Sequence, residues 1–302
     1  MVVRADGSVA GRAVLTMDRE AGVARIVEAV RRALAAADSG ERGLAAIGVG
    51  APGWVDAEAG IVHLATNLGW HDLPLAAALE EALDVPCGLE NDVGLAAMGL
   101  VNHPLSRGAR SLAYVAVGTG IGAGMVVDGE RYRGRHGGAG EIGHVVAVPD
   151  GARCACGQRG CLETVAAGWG IERAAREAVA SGSGGRLGEL ASITAADVYA
   201  AARDDDASAL EITRAAGAAL ARAIVGLVLI SDLERVLIGG GVAAAGDAFR
   251  DPLRAELDRL RADSDLVRGL LADDAVVVLP PDFEAVAWGG VALARRIASA
   301  NA

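Results

Sequence analysis

The sequence predicts a layered α/β protein. Short apolar segments rich in Val, Ile and Leu alternate with longer segments whose apolar residues recur at helical spacing. Glycine-rich turns follow several of the strand segments, and neither heptads nor a repeat of 20–50 residues interrupts the pattern.

Taken in order, residues 23–37 have helical periodicity and run into a Ser39-Gly40 turn. Residues 44–49 read as a buried strand followed by the loop Gly50-Ala51-Pro52-Gly53. A helix is predicted over 75–83, a short strand over 85–89 and a helix over 93–101. Strands over 111–117 and 122–127 are joined by a glycine-rich turn, and Asp128-Gly129 is a hairpin signal. From Glu163 onward the prediction is mostly helical, over 165–180, 194–202 and the long stretch 207–231, with a flexible loop at 181–185. Residues 236–238 read as a strand entering Gly239-Gly240-Gly241, with a helix from near Ala244. A strand over 276–279 stops at Pro280-Pro281, and a helix over 284–297 closes the chain.

The 302 residues are 52% hydrophobic, ample for two medium domains or one large one. Aromatics make up only 3%, so the core must be built from Val, Leu, Ile and Ala. Every cationic side chain apart from histidine is arginine; with no lysine, neither a lysine phosphate clamp nor a Schiff base is available. The formal charge of -11, with no segregated basic run, argues against a nucleic-acid groove. There is no charged-then-apolar leader and no apolar run long enough to cross a bilayer, the most apolar helical stretch being 223–230. A soluble, cytoplasmic protein with no membrane partner is expected.

Cys154, Cys156 and Cys161 fall within eight residues, whereas Cys87 stands alone and reads as a small buried hydrophobe. In a reducing compartment such a cluster indicates a metal site rather than disulfides. The intervening Gly157 and Gly160 allow a tight knuckle. His144, ten residues upstream, supplies the fourth ligand of a closed tetrahedral zinc site, which has no open position and is therefore structural. The alternatives are a metal-free thiol cluster and an iron–sulfur cluster, the latter disfavoured by having only three thiolates close in sequence.

Two glycine loops are candidate anion sites. In Val117-Gly118-Thr119-Gly120-Ile121-Gly122, alternate glycines let backbone N–H groups approach a phosphate, with the Thr119 hydroxyl as an additional donor. It is neither a Walker A sequence nor, being followed by a strand, a dinucleotide fingerprint. Gly239, Gly240 and Gly241 suit a nucleotide lying at a helix N-terminus. Each loop reads equally well as a tight turn. Glu90-Asn91-Asp92 ends a strand and precedes a helix, so Asp92 by spacing alone is a helix N-cap; the functional reading is a general base. Glu141 and Glu163 read as solvated charges or as acceptors for sugar hydroxyls. His144 is able to bind metal through one ring nitrogen and ligand through the other.

Together these pieces resemble the ROK family of bacterial glucokinases, other hexose and N-acylhexosamine kinases, and sugar-responsive repressors. The resemblance is carried by the span from Val117 to His144, by Cys154 to Glu163, and by Gly48-Val49-Gly50-Ala51-Pro52-Gly53. Asn67-Leu68-Gly69-Trp70, Glu90-Asn91-Asp92 and Ile238-Gly239-Gly240-Gly241 extend it. It implies an actin-like, ribonuclease-H-like fold of two α/β lobes with an interlobe cleft. The first lobe would be 1–105 completed by 284–302, and the second 106–283 with the zinc knuckle at 144–161. It also implies Asp92 as catalytic base and Asn67, Asn91, Asp92, Glu141, His144 and Glu163 as sugar ligands. Gly118, Thr119 and Gly120 resemble the second phosphate loop, and Gly239, Gly240 and Gly241 the nucleotide loop. Structural zinc, ATP with Mg, a hexose substrate and a homodimer or homotetramer complete the set.

One departure stands out. The family begins with a strand ending in Asp-x-Gly-Gly-Thr-Lys; here Met1-Val2-Val3 resembles the strand after that loop and Asp6-Gly7 its hairpin turn. About fifteen residues of the family pattern are expected to be absent. Two functions are therefore expected: a hexose kinase, with glucose leading and N-acylhexosamine or fructose as alternatives, or a non-catalytic sugar-binding protein.

Overall fold

The computed structural model describes residues 1–17, 22–40, 43–101 and 103–300. In chain order these contain β1 (Val2–Val3), β2 (Val9–Gly11), α1 (Gly22–Ala36), β3 (Ile47–Ala51), β4 (Trp54–Asp56), β5 (Ile61–Ala65), β6 (Trp70–Leu73), α2 (Leu75–Leu83), β7 (Cys87–Asn91) and α3 (Asp92–Val101). There follow β8 (Leu112–Val117), β9 (Ile121–Val127), β10 (Glu130–Tyr132), α4 (Glu163–Ala166), α5 (Gly168–Ala180), α6 (Ala195–Arg203) and α7 (Ala207–Ser231). The chain ends with β11 (Arg235–Gly239), α8 (Asp247–Asp263), α9 (Asp265–Leu270), β12 (Val276–Val278) and α10 (Ala285–Ala300). The last two positions of the expected 284–302 segment lie outside the described residues.

The chain divides into two compact units. The first comprises Met1–Gly108, Glu130–Gly138 and Glu284–Ala302, the second Ala109–Gly129 and Ala139–Phe283. Residues 130–138 thus belong with the first unit, where sequence reasoning put them in the second.

In the first unit β3 and β7 are parallel, in a register that sets Ala51 opposite Asn91. The antiparallel sheet β4-β5-β6 lies beside them in sequence and was not anticipated, because its three strands are short and separated by Asp- and Gly-rich turns. Val62, Trp70, Leu75, Leu79 and Leu89 form the centre of this unit's core. Helix α10 packs on α3 and β3 backbone to backbone: a Cβ on Gly289 would lie 1.9 Å from the Leu95 carbonyl oxygen.

In the second unit β9, β8, β11 and β12 lie side by side in that order. β8 and β11 are parallel with Gly239 opposite Ala116, and β8 and β9 are antiparallel. Val115, Val117, Val236, Ile238, Ile171, Leu220 and Ile224 fill the core, as expected of a chain poor in aromatics. Helix α6 starts with a capping box, Thr194 with Asp197, and α7 with Asp206 accepting the Ala209 N–H. The buried Arg261 of α8 donates to the carbonyls of Leu271 and Ala272, so a cation closes the end of α9. On the surface of this unit Arg222 and Arg259 share Glu256, and Arg259 also reaches Asp263.

Several expectations shift. The single helix expected over 165–180 is two, broken at Ala167 (ψ 161°), because the Gly168 N–H turns away to donate to the Gly118 carbonyl. The expected helix near Ala244 is only a single 3₁₀ turn, Ala243–Ala245. Gly246, at φ 71°, separates it from α8, which begins at Asp247. Helix α7 is long and apolar enough to cross a membrane by length and composition, contrary to the expectation that no run was. However, 56% of its apolar window is buried within the unit, where it packs on α4, α5, α6 and α8. That is the placement of a core helix.

Gly289→Ala is expected to lower stability by about 3 kcal/mol, the upper end for overpacking, since the atom it meets is backbone and cannot rotate away. Urea unfolding measures this; a loss under about 0.5 kcal/mol would mean the α10–α3 seam opens freely.

Candidate active site and zinc knuckle

The knuckle is built by short backbone bonds. Cys154 N–H donates to the Gln158 carbonyl (2.8 Å) and Gly157 N–H to the Cys154 carbonyl (3.0 Å), while Arg153 and Arg159 pair across the turn. Gly157 takes φ 97° and Gly160 φ 71°, and a Cβ at Gly160 would strike the Val148 carbonyl oxygen. This brings together one ligand atom each from His144, Cys154, Cys156 and Cys161, all within 4.8 Å of one another. Cys154 Sγ lies 3.7 Å from His144 Nδ1, and Cys156 Sγ lies 3.6 Å from Cys161 Sγ. Ligands about 2.3 Å from a tetrahedral zinc stand about 3.8 Å apart, so the donor set fits that ion. Burial, reinforced by its two neighbouring thiols, pushes the Cys161 thiol up to about 12. Without a cation it is neutral, and metal binding must displace its proton. Among the described residues no cysteine is in a disulfide; Cys87, half-buried, is pushed up to about 12 by desolvation and then by the Glu80 charge.

His144 faces Cys154 through Nδ1, and its Nε2 lies 3.9 Å from the exposed Glu141 carboxylate. The ring therefore offers one nitrogen to the ligand cluster and turns the other toward an acceptor. Glu163 is not the solvated charge that sequence alone suggests. It opens α4, is half-buried, and its Oε1 accepts the Ile121 N–H at 2.6 Å. Gly120 and Gly143 make room for it, since a Cβ on either would come within 2.7 Å of the Glu163 side chain.

The two glycine loops sit at the carboxyl ends of adjacent parallel strands. Gly118-Thr119-Gly120 leaves β8, closed by the Gly118 N–H donating to the Gly120 carbonyl (3.0 Å), with Thr119 exposed. Gly240 follows β11 at φ 102°, and a Cβ there would lie 2.4 Å from the Val117 carbonyl oxygen, so glycine lets the second loop cross the end of β8. Val242 N–H donates to that same carbonyl. Gly118 and Gly241 face open space. Ligands of parallel α/β sheets bind outside the carboxyl ends of the strands, which is where both loops lie. The expected α-helix N-terminus beside Gly241 is replaced by the 3₁₀ turn, so backbone N–H groups rather than a long helix dipole face an anion there.

In the first unit the turn from β7 into α3 carries Asn91 and Asp92. The N-cap is Asn91 rather than Asp92: Asn91 Oδ1 accepts the N–H groups of Val93 and Gly94 (3.1 Å each), and Nδ2 donates to the Gly53 carbonyl (3.1 Å). Asp92 accepts the N–H of the next residue, Val93, at 2.8 Å. Burial raises its carboxyl above the ordinary range, and hydrogen bonds from Val93 and its own N–H offset this in part. A half-buried carboxylate with raised proton affinity is the profile of a general base. Asn67 is exposed in the turn between β5 and β6.

Sequence reasoning gave no role to Glu90, Arg131 and Arg133. Glu90 is buried; its Oε1 accepts the Asn91 N–H (3.0 Å) and its Oε2 lies 2.6 Å from Arg133 Nη2, a close ion pair without hydrogen-bond alignment. Arg131 Nε is 3.9 Å from Glu90 Oε1, with both side chains 4% exposed or less. Two arginines directly after the Asp128-Gly129 turn were the available signal.

The parallel strands, the glycine loops at their ends and the two α/β units define a protein of the actin-like, ribonuclease-H-like class. Within that class the chain belongs to the ROK family, whose pattern matches residues 1–270. It is 36% identical over 263 residues to a glucokinase of Halalkalibacterium halodurans, covering 84% of this chain and 80% of that one. It is 38% identical over 216 residues to a glucokinase of Thermotoga maritima, covering 70% and 68%. Among solved structures it resembles a ROK glucokinase of Streptomyces griseus in complex with glucose and AMPPNP. That match has a TM-score of 0.74 and 29% identity, and covers 93% of this chain and 89% of that one. A ROK transcriptional regulator, homologous to an E. coli MLC protein, aligns with a TM-score of 0.77 at 25% identity, covering 94% and 70%.

Because folding raises the Asp92 carboxyl, the ionised form opposes folding, and this contribution sets in as pH rises through the interval between the unfolded and folded values. Asp92→Asn is accordingly expected to raise the melting temperature at pH 7 by a few degrees, a gap that closes under acid conditions. Scanning calorimetry at both pH values measures it; a lower melting temperature at pH 7 would contradict the assignment.

Proposed function

We propose that this protein phosphorylates a hexose, glucose foremost, at the expense of MgATP, with Asp92 as general base. The observation that carries the reading is the Asp92 carboxyl, half-buried at the carboxyl end of β7 and raised in proton affinity, in a chain whose relatives at 36% and 38% identity are glucokinases. In the transfer, Asp92 takes the proton of the attacking hydroxyl. The hydroxyl oxygen bonds to the γ-phosphorus, the bond to the bridging oxygen breaks, and ADP leaves. Backbone donors of Gly118, Thr119, Gly120, Gly239, Gly240 and Gly241 would hold the phosphates, and Mg bound with ATP would neutralise part of their charge.

The sugar hydroxyls are met by Asn67, Asn91, Glu141, His144 and Glu163. Asn91 keeps one amide hydrogen for this, the other being given to Gly53. Zinc would be held by His144, Cys154, Cys156 and Cys161; it would fix the His144 ring, whose Nε2 faces Glu141 and would be left for the sugar. The protein works in the cytoplasm, where the thiols stay reduced, as a homodimer or homotetramer. N-acylhexosamines and fructose are the competing substrates.

Asp92→Asn is expected to lower kcat for glucose phosphorylation by about a hundredfold or more while calorimetry still registers glucose binding. An unchanged kcat would remove Asp92 from the mechanism. Wild-type protein that binds glucose but neither binds nor consumes ATP would instead be a sugar-binding regulator, as its likeness to the ROK transcriptional regulator allows.

Stripping zinc is expected to abolish glucose affinity while the far-ultraviolet circular dichroism of the remaining helices persists. Normal glucose binding by zinc-free protein would disconnect the knuckle from the sugar site.

A further inference from the structure

Two charges, Glu90 and Arg131, are buried beside the turn that carries Asp92, and a third, Arg133, reaches them from the surface. Glu90, the last residue but one of β7, has a side chain only 4% exposed, and Arg131 on β10 only 3%. Arg133, just beyond β10, reaches Glu90 Oε2 from a partly exposed position, 2.6 Å away. Withdrawing such ions from water costs several kcal/mol each, and apolar side chains of similar volume fill such space at lower cost. Packing alone therefore does not account for the trio.

Its contacts converge on the turn that carries Asp92. Glu90 Oε1 fixes the Asn91 N–H at 3.0 Å. The Arg131 guanidinium comes up against the first turn of α3, so close that a Cβ on Gly94 would sit 2.4 Å from its Nε and would force the guanidinium to move. Asn91 in turn caps the N–H groups of Val93 and Gly94. The turn is thus held at residue 90 by Arg133, at residue 94 by Arg131 and internally by Asn91. The same short segment that supplies both arginines continues along the chain to Glu141, eight residues beyond Arg133.

We propose that Glu90, Arg131 and Arg133 form a positioning cluster that fixes the direction of the Asp92 carboxylate. This rests on Asp92 acting as the base. The cluster touches no substrate; it acts through the turn. A general base displaced by a fraction of an ångström loses rate without losing substrate affinity, and that pattern distinguishes positioning from bulk stability.

The test uses the full chain. Arg133→Gln, which leaves Arg131 to balance Glu90, is expected to lower kcat about tenfold with the KM values for glucose and ATP changed less than about threefold, and Arg133→Lys to restore most of it. The paired replacement Glu90→Leu with Arg131→Leu keeps the space filled without buried charge, and is expected to fold while losing a comparable share of kcat. In both Arg133→Gln and the paired variant, hydrogen exchange at the Asn91, Val93 and Gly94 amides should quicken at least about tenfold relative to the rest of α3. If both variants keep kcat within about twofold and exchange at these amides is unchanged, the trio is structural filling and the proposal fails. If the paired variant does not fold, Arg133→Gln decides by the same two readouts. Should wild-type protein phosphorylate no hexose, the kinase reading falls by itself. The exchange experiment then decides whether the trio fixes the turn, with unchanged exchange overturning the proposal.

Discussion

The second unit depends on the parallel register between β8 and β11. Five residue pairs, from Arg235 opposite Leu112 to Gly239 opposite Ala116, end the two strands at the same level. That is why two glycine loops more than a hundred residues apart in sequence share one edge. The β11 loop can cross the end of β8 because Gly240 has no side chain to strike the Val117 carbonyl, which accepts the Val242 N–H instead. The Gly118 carbonyl is then taken by the Gly168 N–H, which breaks the helix that sequence alone would run through Ala167. The placement of the glycine loops, the helix break and the opening of α4 at Glu163 all follow from where the two strands stop.

The thiol–histidine cluster adds a second constraint, geometric rather than chemical. Its members come from a 3₁₀ turn at Ile142–His144 and from a glycine-bent loop. A metal held there would fix the His144 ring by one nitrogen, and the direction of the other would then be determined. Such a metal would act as a joint that sets an angle, and Glu163 lies two residues beyond Cys161 on the same stretch of chain.

Much of this was legible in the sequence, and the exceptions have physical causes. Helices α2 and α7 have the predicted bounds, because Pro74 sets the start of α2 and the Asp206 cap that of α7, with apolar residues at helical spacing in between. The clustering of His144 with Cys154, Cys156 and Cys161 was legible because three thiols and a histidine at that spacing have little other use. The β4-β5-β6 sheet escaped because strands of three to five residues leave too little alternation to read. Helix ends that usually announce themselves with glycine end here on aspartate in the left-handed region, as Asp84 (φ 52°) does for α2 and Asp232 (φ 48°) for α7. Asp92 and Asn91 exchanged the capping role, since either side chain fits an N-cap and only the exit direction of β7 decides. The trio behind Asp92 was hidden because Arg131 and Arg133 are separated from Glu90 by forty residues of chain.

The exclusive use of arginine has a consequence for how the protein responds to alkali. The cation in the carbonyl cage at the end of α9, those of the Arg222–Glu256–Arg259 chain on the surface and those against Glu90 are all arginine. A guanidinium in general keeps its proton to about pH 12 and beyond, although burial draws that of Arg131 below its ordinary value. A protein held by lysine ammonium groups sheds those charges from about pH 10 upward and watches its ion pairs dissolve as its net negative charge climbs. This chain has no such group to lose. From neutrality into the alkaline range its charge changes only through a few histidines, thiols and tyrosines. Its electrostatic frame is close to pH-invariant on that side, and any alkaline limit must come from chemistry at a single site rather than from a general loosening of the fold.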